Sequence, residues 1–168
     1  MSRLQTICLF AFLVSCTNNS SDERKTNTDS KVTADVTTPK SAYDAPEFER
    51  LMWSTEFDTA RRDFMLKQHK RLDAETLIPE NLVKQLNMAW PDITLVLKKI
   101  SNDTIYVSIP NSFYLTQSIG STGAGNYISS TTYNLTELKG ITYVHFDFKE
   151  GDHFAPGTFT RDDFKSYR

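Results

Sequence analysis

The sequence predicts an α+β domain, a small sheet of three or more strands with helices packed on one face. Three observations predict it. From Ala124 to Leu138, the apolar and small residues Ala124, Tyr127, Ile128, Thr132, Leu135 and Leu138 recur at helical spacing. Two β-rich runs, 93–100 and 104–109, are joined by Ser101-Asn102-Asp103, a hairpin signal. Then 141–149 alternates, with Val144, Phe146 and Phe148 on one face and Tyr143, His145 and Asp147 on the other. The order of helices, two strands, helix and strand gives the class.

In chain order, Arg3 and the short apolar run 7–14 read as a signal peptide over 1–15. The run is far below the ~20 residues that span a bilayer. It ends in Leu13-Val14-Ser15-Cys16, which resembles a bacterial lipobox, so Cys16 is the expected lipidation (palmitate) site. Cys8 would leave with the signal, and a mature chain with no free thiol excludes thiolate catalysis and zinc–thiolate sites. Thr17 is not the aspartate that retains enterobacterial lipoproteins at the inner membrane. Ser20-Ser21-Asp22-Glu23 resembles a Bacteroidetes-type surface export signal. The implied location is the cell envelope, as an outer-membrane lipoprotein that is periplasmic or surface-exposed.

Residues 16–43 are the lipidated cysteine and a disordered tether, since Ser, Thr, Asn, Asp and Lys bury too little surface to offset ordering entropy. A flexible chain of about 27 residues reaches roughly 25–30 Å. Residues 44–168 form one domain of ordinary size. The chain is 39% hydrophobic and 24% charged with net charge −2, and it has no basic stripe with interleaved aromatics. That balance excludes nucleic acid as an expected partner.

Within the domain, Asp44-Ala45-Pro46 reads as a helix start. Residues 47–72 read as two helices interrupted at Trp53-Ser54-Thr55. The second carries a basic face of Arg61, Arg62, Lys67, Lys70 and Arg71, either solvated or a dock for an acidic partner, with His69 exposed among them. Residues 77–86 read as a short helix with Pro79 in its first turn, and Pro91 blocks its continuation. Pro110 ends the second strand, and 111–118 is a connector. Gly120-Ser121-Thr122-Gly123-Ala124-Gly125 opens the long helix. Ser121, Thr122 and Gly123 could contact an anion or ligand there, or Ser121 or Thr122 could cap the helix. The P-loop ending is missing. Lys139 suits the helix dipole, and Gly140 suits a left-handed stop. Pro156-Gly157 signals a type II turn. Arg161, Asp162 and Asp163 read as surface charge or a terminal cap.

The chemistry candidates are few. His145, Asp147 and His153, with Asp152 nearby, could supply two imidazoles and a carboxylate to zinc or iron in a metal-dependent hydrolase. Against this, Asp152 also suits a turn, and a polar strand face alternates in the same way. Ser121, His153 and an aspartate could be written as a hydrolytic triad, but no Gly-x-Ser-x-Gly elbow exists.

The block Thr104–Ile109, the Gly-rich helix opening, Thr132-Tyr133-Asn134-Leu135-Thr136-Glu137, Gly140-Ile141, Val144-His145-Phe146, Gly151 and Arg161 resembles the GerMN domain of envelope lipoproteins over 92–164. The resemblance implies a small non-catalytic α/β module that binds a ligand or partner or assembles, with no catalytic residue and no cofactor. Together with the lipobox it points to a lipid-anchored binding or assembly module. Its partners would be the membrane, through the lipid, and an envelope protein or glycan. Asp58-Thr59-Ala60 and Asp103-Thr104-Ile105 also fit the O-glycosylation pattern of Bacteroidetes envelope proteins, the second site being the more accessible.

Overall fold

Residues 53–68 depart furthest from the pattern in the sequence. The computed structural model describes residues 51–167. The signal peptide, Cys16, the tether and the helix start at Asp44 lie outside them. Where the sequence suggests helices, β1 (Trp53–Asp58) and β2 (Asp63–Gln68) form an antiparallel hairpin, Trp53 opposite Gln68 and Asp58 opposite Asp63. Two local devices turn the chain. Asp58 Oδ1 accepts from the amides of Ala60 (2.8 Å) and Arg61 (3.1 Å), and Arg62 sits at φ 56°, which no helix accommodates.

A hairpin alone is marginal in water, and this one is fastened from afar. The Asn134 side chain accepts from the amides of Met52 (3.0 Å) and Trp53 (3.2 Å) and donates to the Trp53 carbonyl (2.7 Å). Ser130 Oγ donates to the same carbonyl at 3.2 Å. One amide side chain thus does for β1 what a neighbouring strand would do.

The expected basic helix face therefore does not exist. Arg61 and Arg62 lie in the hairpin loop, and Lys67 pairs with Glu56 across the strands at 2.8 Å. His69 is half-buried rather than exposed, with Nε2 2.6 Å from the Oγ of buried Ser54.

A 3-10 turn (Ala74–Thr76) leads to α1 (Pro79–Ala89), where Pro79 occupies the first turn, as expected. Leu82, Val83, Leu86 and Ala89 form its buried face. Asn87 then clamps Leu95, accepting from its amide (2.7 Å) and donating to its carbonyl (2.9 Å).

The hairpin of β3 (Val96–Ser101) and β4 (Thr104–Ser108) forms as the sequence predicts. Its loop is only Asn102-Asp103, because Ser101 pairs with Thr104 and Asn102 takes φ 54°. A long connection carries the chain through α2 (Gly120–Leu135) to β5 (Tyr143–Asp147), which lies parallel to β4. A further strand, β6 (Gly157–Phe159), pairs antiparallel with β5 and completes the order β3-β4-β5-β6. It displaces the expected type II turn. Gly157 pairs with Phe146, and positive φ among the described glycines is confined to Gly120 and Gly140.

Ile105, Val107, Val144 and Phe146 line the core face of this sheet, as their alternation requires. Helix α2 is not one-sided. Every residue from Gly123 to Leu135 is buried, between the sheet and a second layer that includes β1 and the chain's last turn. Two of its buried hydroxyls find carbonyls, Ser129 that of Asn126 within the helix (3.1 Å) and Ser130 that of Trp53 in β1 (3.2 Å). Gly140 is left-handed (φ 76°), but the helix has already ended at Leu135. Lys139 meets Glu75 at 2.5 Å instead of a helix end.

Candidate functional site

The parallel strands β4 and β5 end side by side, and ligands in such sheets collect outside the carboxyl ends of the strands. Here the Ile109 amide still bonds the Asp147 carbonyl (2.9 Å), and then the two chains part. Ser112 Oγ ties them again by donating to the Lys149 carbonyl at 2.8 Å. The Thr116 amide (2.8 Å) and hydroxyl (2.9 Å) both donate to the Ser112 carbonyl.

The expected connector after β4 contains a π-helical turn, Tyr114–Ser118, in which the Ile119 amide reaches back to the Tyr114 carbonyl (3.1 Å). Such turns are rare and concentrate at functional sites. Gly120, at φ 72°, joins the turn to α2, a conformation that favours glycine.

The loop after β5 closes over this turn. The His153 amide donates to the Thr116 carbonyl at 3.1 Å. Gln117 faces Asp152, and with its amide oriented to satisfy both groups the nitrogen donates to Oδ2 (3.0 Å) and the oxygen accepts from the Asp152 amide (3.1 Å). Gly151 fits beneath them. A Cβ there would lie 2.6 Å from Thr116 Oγ1 and 2.7 Å from Thr116 Cβ. Between the loops lies a pocket of about 300 Å³, lined by Pro110, Asn111, Ser112, Phe113, Thr116, Gln117, Lys149 and Glu150. Phe113 stands at its rim, 67% exposed, more than any other large apolar side chain among the described residues.

The candidates from sequence fall into place unevenly. Ser121 comes within 3.4 Å (Oγ to Nδ1) of His153 beside this site, a pairing the sequence only allowed. It is a surface contact. The nearby Asp152 carboxylate is held by Gln117 instead of the imidazole, so the triad is not assembled. Thr122 is exposed, and Gly123 is buried against Ile119. Neither Ser121 nor Thr122 caps α2. Its N-cap is Ile119, which makes no side-chain cap.

The metal set is not formed. His145 Nδ1 lies 2.8 Å from Thr158 Oγ1, and its ring is 5.2 Å from that of Tyr106, across the sheet's outer face. His153 turns to Ser121, and Asp147 is exposed at the end of β5. Among the described residues, no three of His, Cys, Asp and Glu gather as a metal site.

A second cluster has no counterpart in the sequence pattern. Arg161, read as surface charge or a cap, is half-buried. Its guanidinium pairs with Glu137 and donates to the Tyr133 carbonyl (2.9 Å) and Thr136 Oγ1 (2.8 Å). It lies over the rings of Trp53 (5.5 Å) and Tyr133 (4.9 Å). Trp53 Nε1 donates to the same Glu137 oxygen at 2.8 Å. Burial acts to raise the Glu137 pKa, but hydrogen bonds from Arg161 and Trp53 and the charges of Arg161 and Arg71 outweigh it. The carboxyl is held below its ordinary value. Asp163 does act as a cap, accepting from the Thr160 amide at 2.7 Å. The order of the two Asp-Thr sites reverses. Thr59 is exposed in the β1–β2 loop, whereas Thr104 is half-buried with its hydroxyl on Asp103.

These elements define the chain as an α+β protein with a mixed four-stranded sheet and an additional hairpin. Neither a known protein family, a curated protein nor a solved structure matches it.

Proposed function

We propose that the protein is a lipid-anchored, non-catalytic binding module of the cell envelope, held to the outer membrane through Cys16. The domain recognises its ligand at the end of the sheet where β4 and β5 terminate. The observation that carries this reading is the π turn, which presents an exposed Phe113 beside a formed pocket. An aromatic ring beside a concave pocket with polar groups in its walls offers a ligand an apolar face together with orienting partners. Both loops are fastened, by Ser112 to Lys149 and by Gln117 to Asp152, so little ordering is left for binding to impose. The lipobox and the residue-level resemblance to GerMN domains supply the anchor and the non-catalytic class.

A photo-reactive residue placed at position 113 of the intact protein, in cells, tests the site. The expected outcome is a discrete adduct of higher mass. The same group at Thr94, an exposed position on another loop, should give none. Equal adducts at both positions, or none at 113, would sink the assignment.

A further inference from the structure

The chemistry of the pocket narrows the ligand, on the reading that this end is the binding site. We propose that it takes a saccharide ring of an envelope glycan, stacked on Phe113. Thr116 and Gln117 in the walls are already bonded within the protein, which leaves the Asn111 amide nitrogen and one charge of each sign, at Lys149 and Glu150, to meet a ligand.

Lys149 and Glu150 offset one another, and Asp152 stands beside them on Gln117, so no excess of positive charge draws in an anion as such. A wholly apolar ligand would cover Lys149 and Glu150 and take their charges out of water. A pyranose ring meets both requirements. Its hydroxyls donate and accept in turn around the edge, matching lysine, carboxylate and amide, while its C–H face suits a free aromatic ring.

The volume, about 300 Å³, sits at the lower end of the range for ligand pockets. It therefore holds one unit of a chain, with the remainder running out past the exposed rim. Phe113 supplies area without a conformational cost, because the two loops beneath it are fastened to each other and Gly151 allows them to close.

The test uses the full-length protein in detergent and three probes: a β-1,4-linked tetrasaccharide of N-acetylglucosamine, cellotetraose, and a short peptide of mixed charge. Saturation transfer reads contact with the probe, and amide exchange of residues 110–118 and 148–154 reads the place. The expected result is transfer to ring C–H protons of at least one saccharide, with slower exchange in both segments. Affinity should fall about ten-fold in Phe113→Ala and return in Phe113→Trp. Because Phe113 is so exposed, both variants should melt as the parent does. Protection of the two segments by the peptide and by neither saccharide would overturn the glycan assignment and leave the binding site standing. Saccharide binding unaffected by Phe113→Ala would overturn the stacking. No protection by any probe would overturn both readings.

Discussion

Arg161 and Glu137 illustrate how one pair of side chains can join three distant parts of a chain. The guanidinium bonds the end of α2, the carboxylate takes the indole N–H of β1, and the arginine itself belongs to the last turn, Arg161–Tyr167. Arg161→Ala leaves a partly desolvated carboxylate with Trp53 as its hydrogen-bond donor among the described residues. The expected cost is about 2 kcal/mol, between the ranges for exposed and buried pairs, read by denaturant unfolding. The pair also sets a pH dependence. The folded carboxyl lies below its ordinary value of 4.5, so its contribution is complete above that pH and is lost as pH falls through the folded value. Glu137→Gln should therefore be less stable than the parent at neutral pH but lose less on acidification. Parallel stability curves for the two proteins would remove Glu137 as the cause. Nothing in the local sequence around Arg161 announces this role, because its partners lie 24 or more residues away.

At the scale of elements, α2 is the scaffold, and Asn134 is the residue through which it holds the β1–β2 hairpin. Asn134→Ala strands the amides of Met52 and Trp53 at the start of β1 and leaves the Trp53 carbonyl to Ser130, at a cost of about 2–4 kcal/mol. Hydrogen exchange should accelerate across 53–68 and remain slow in β4 and β5. Unchanged exchange in the hairpin would mean that burial of Leu51 and Met52, not the amide, holds it. The same element explains why this hairpin reads as helices in the sequence. The spacing of Phe57, Ala60 and Phe64 suits a helix. What fastens β1 to the rest of the fold is a side chain, not a strand, so no strand signal elsewhere in the chain could reveal it. By contrast, α1, the β3–β4 hairpin and β5 are legible because proline position, loop chemistry and period-two alternation are all local.

For the molecule as a whole, the proposed anchor and the proposed site are separable. Cys16→Ser should abolish metabolic labelling with an alkyne fatty acid and release the protein from the membrane fraction, while photo-adduct formation at position 113 persists on the released protein. Retained labelling in that variant would reject Cys16 as the lipidated residue. The α+β class, the inward faces of the main strands and the left-handed conformation at Gly140 are all written in the sequence, because each depends on neighbours within a few positions. The proposed N-terminal address rests on the same kind of local pattern. Long-range packing settles the rest: 53–68 is a hairpin, α2 is buried on all sides from Gly123 onward, and His145 and His153 are held by different partners. It also brings a π turn and the loop after β5 together around a pocket under Phe113. These features depend on contacts such as Asn134 to Met52, 82 residues apart in the chain. Periodicity carries no information at that range.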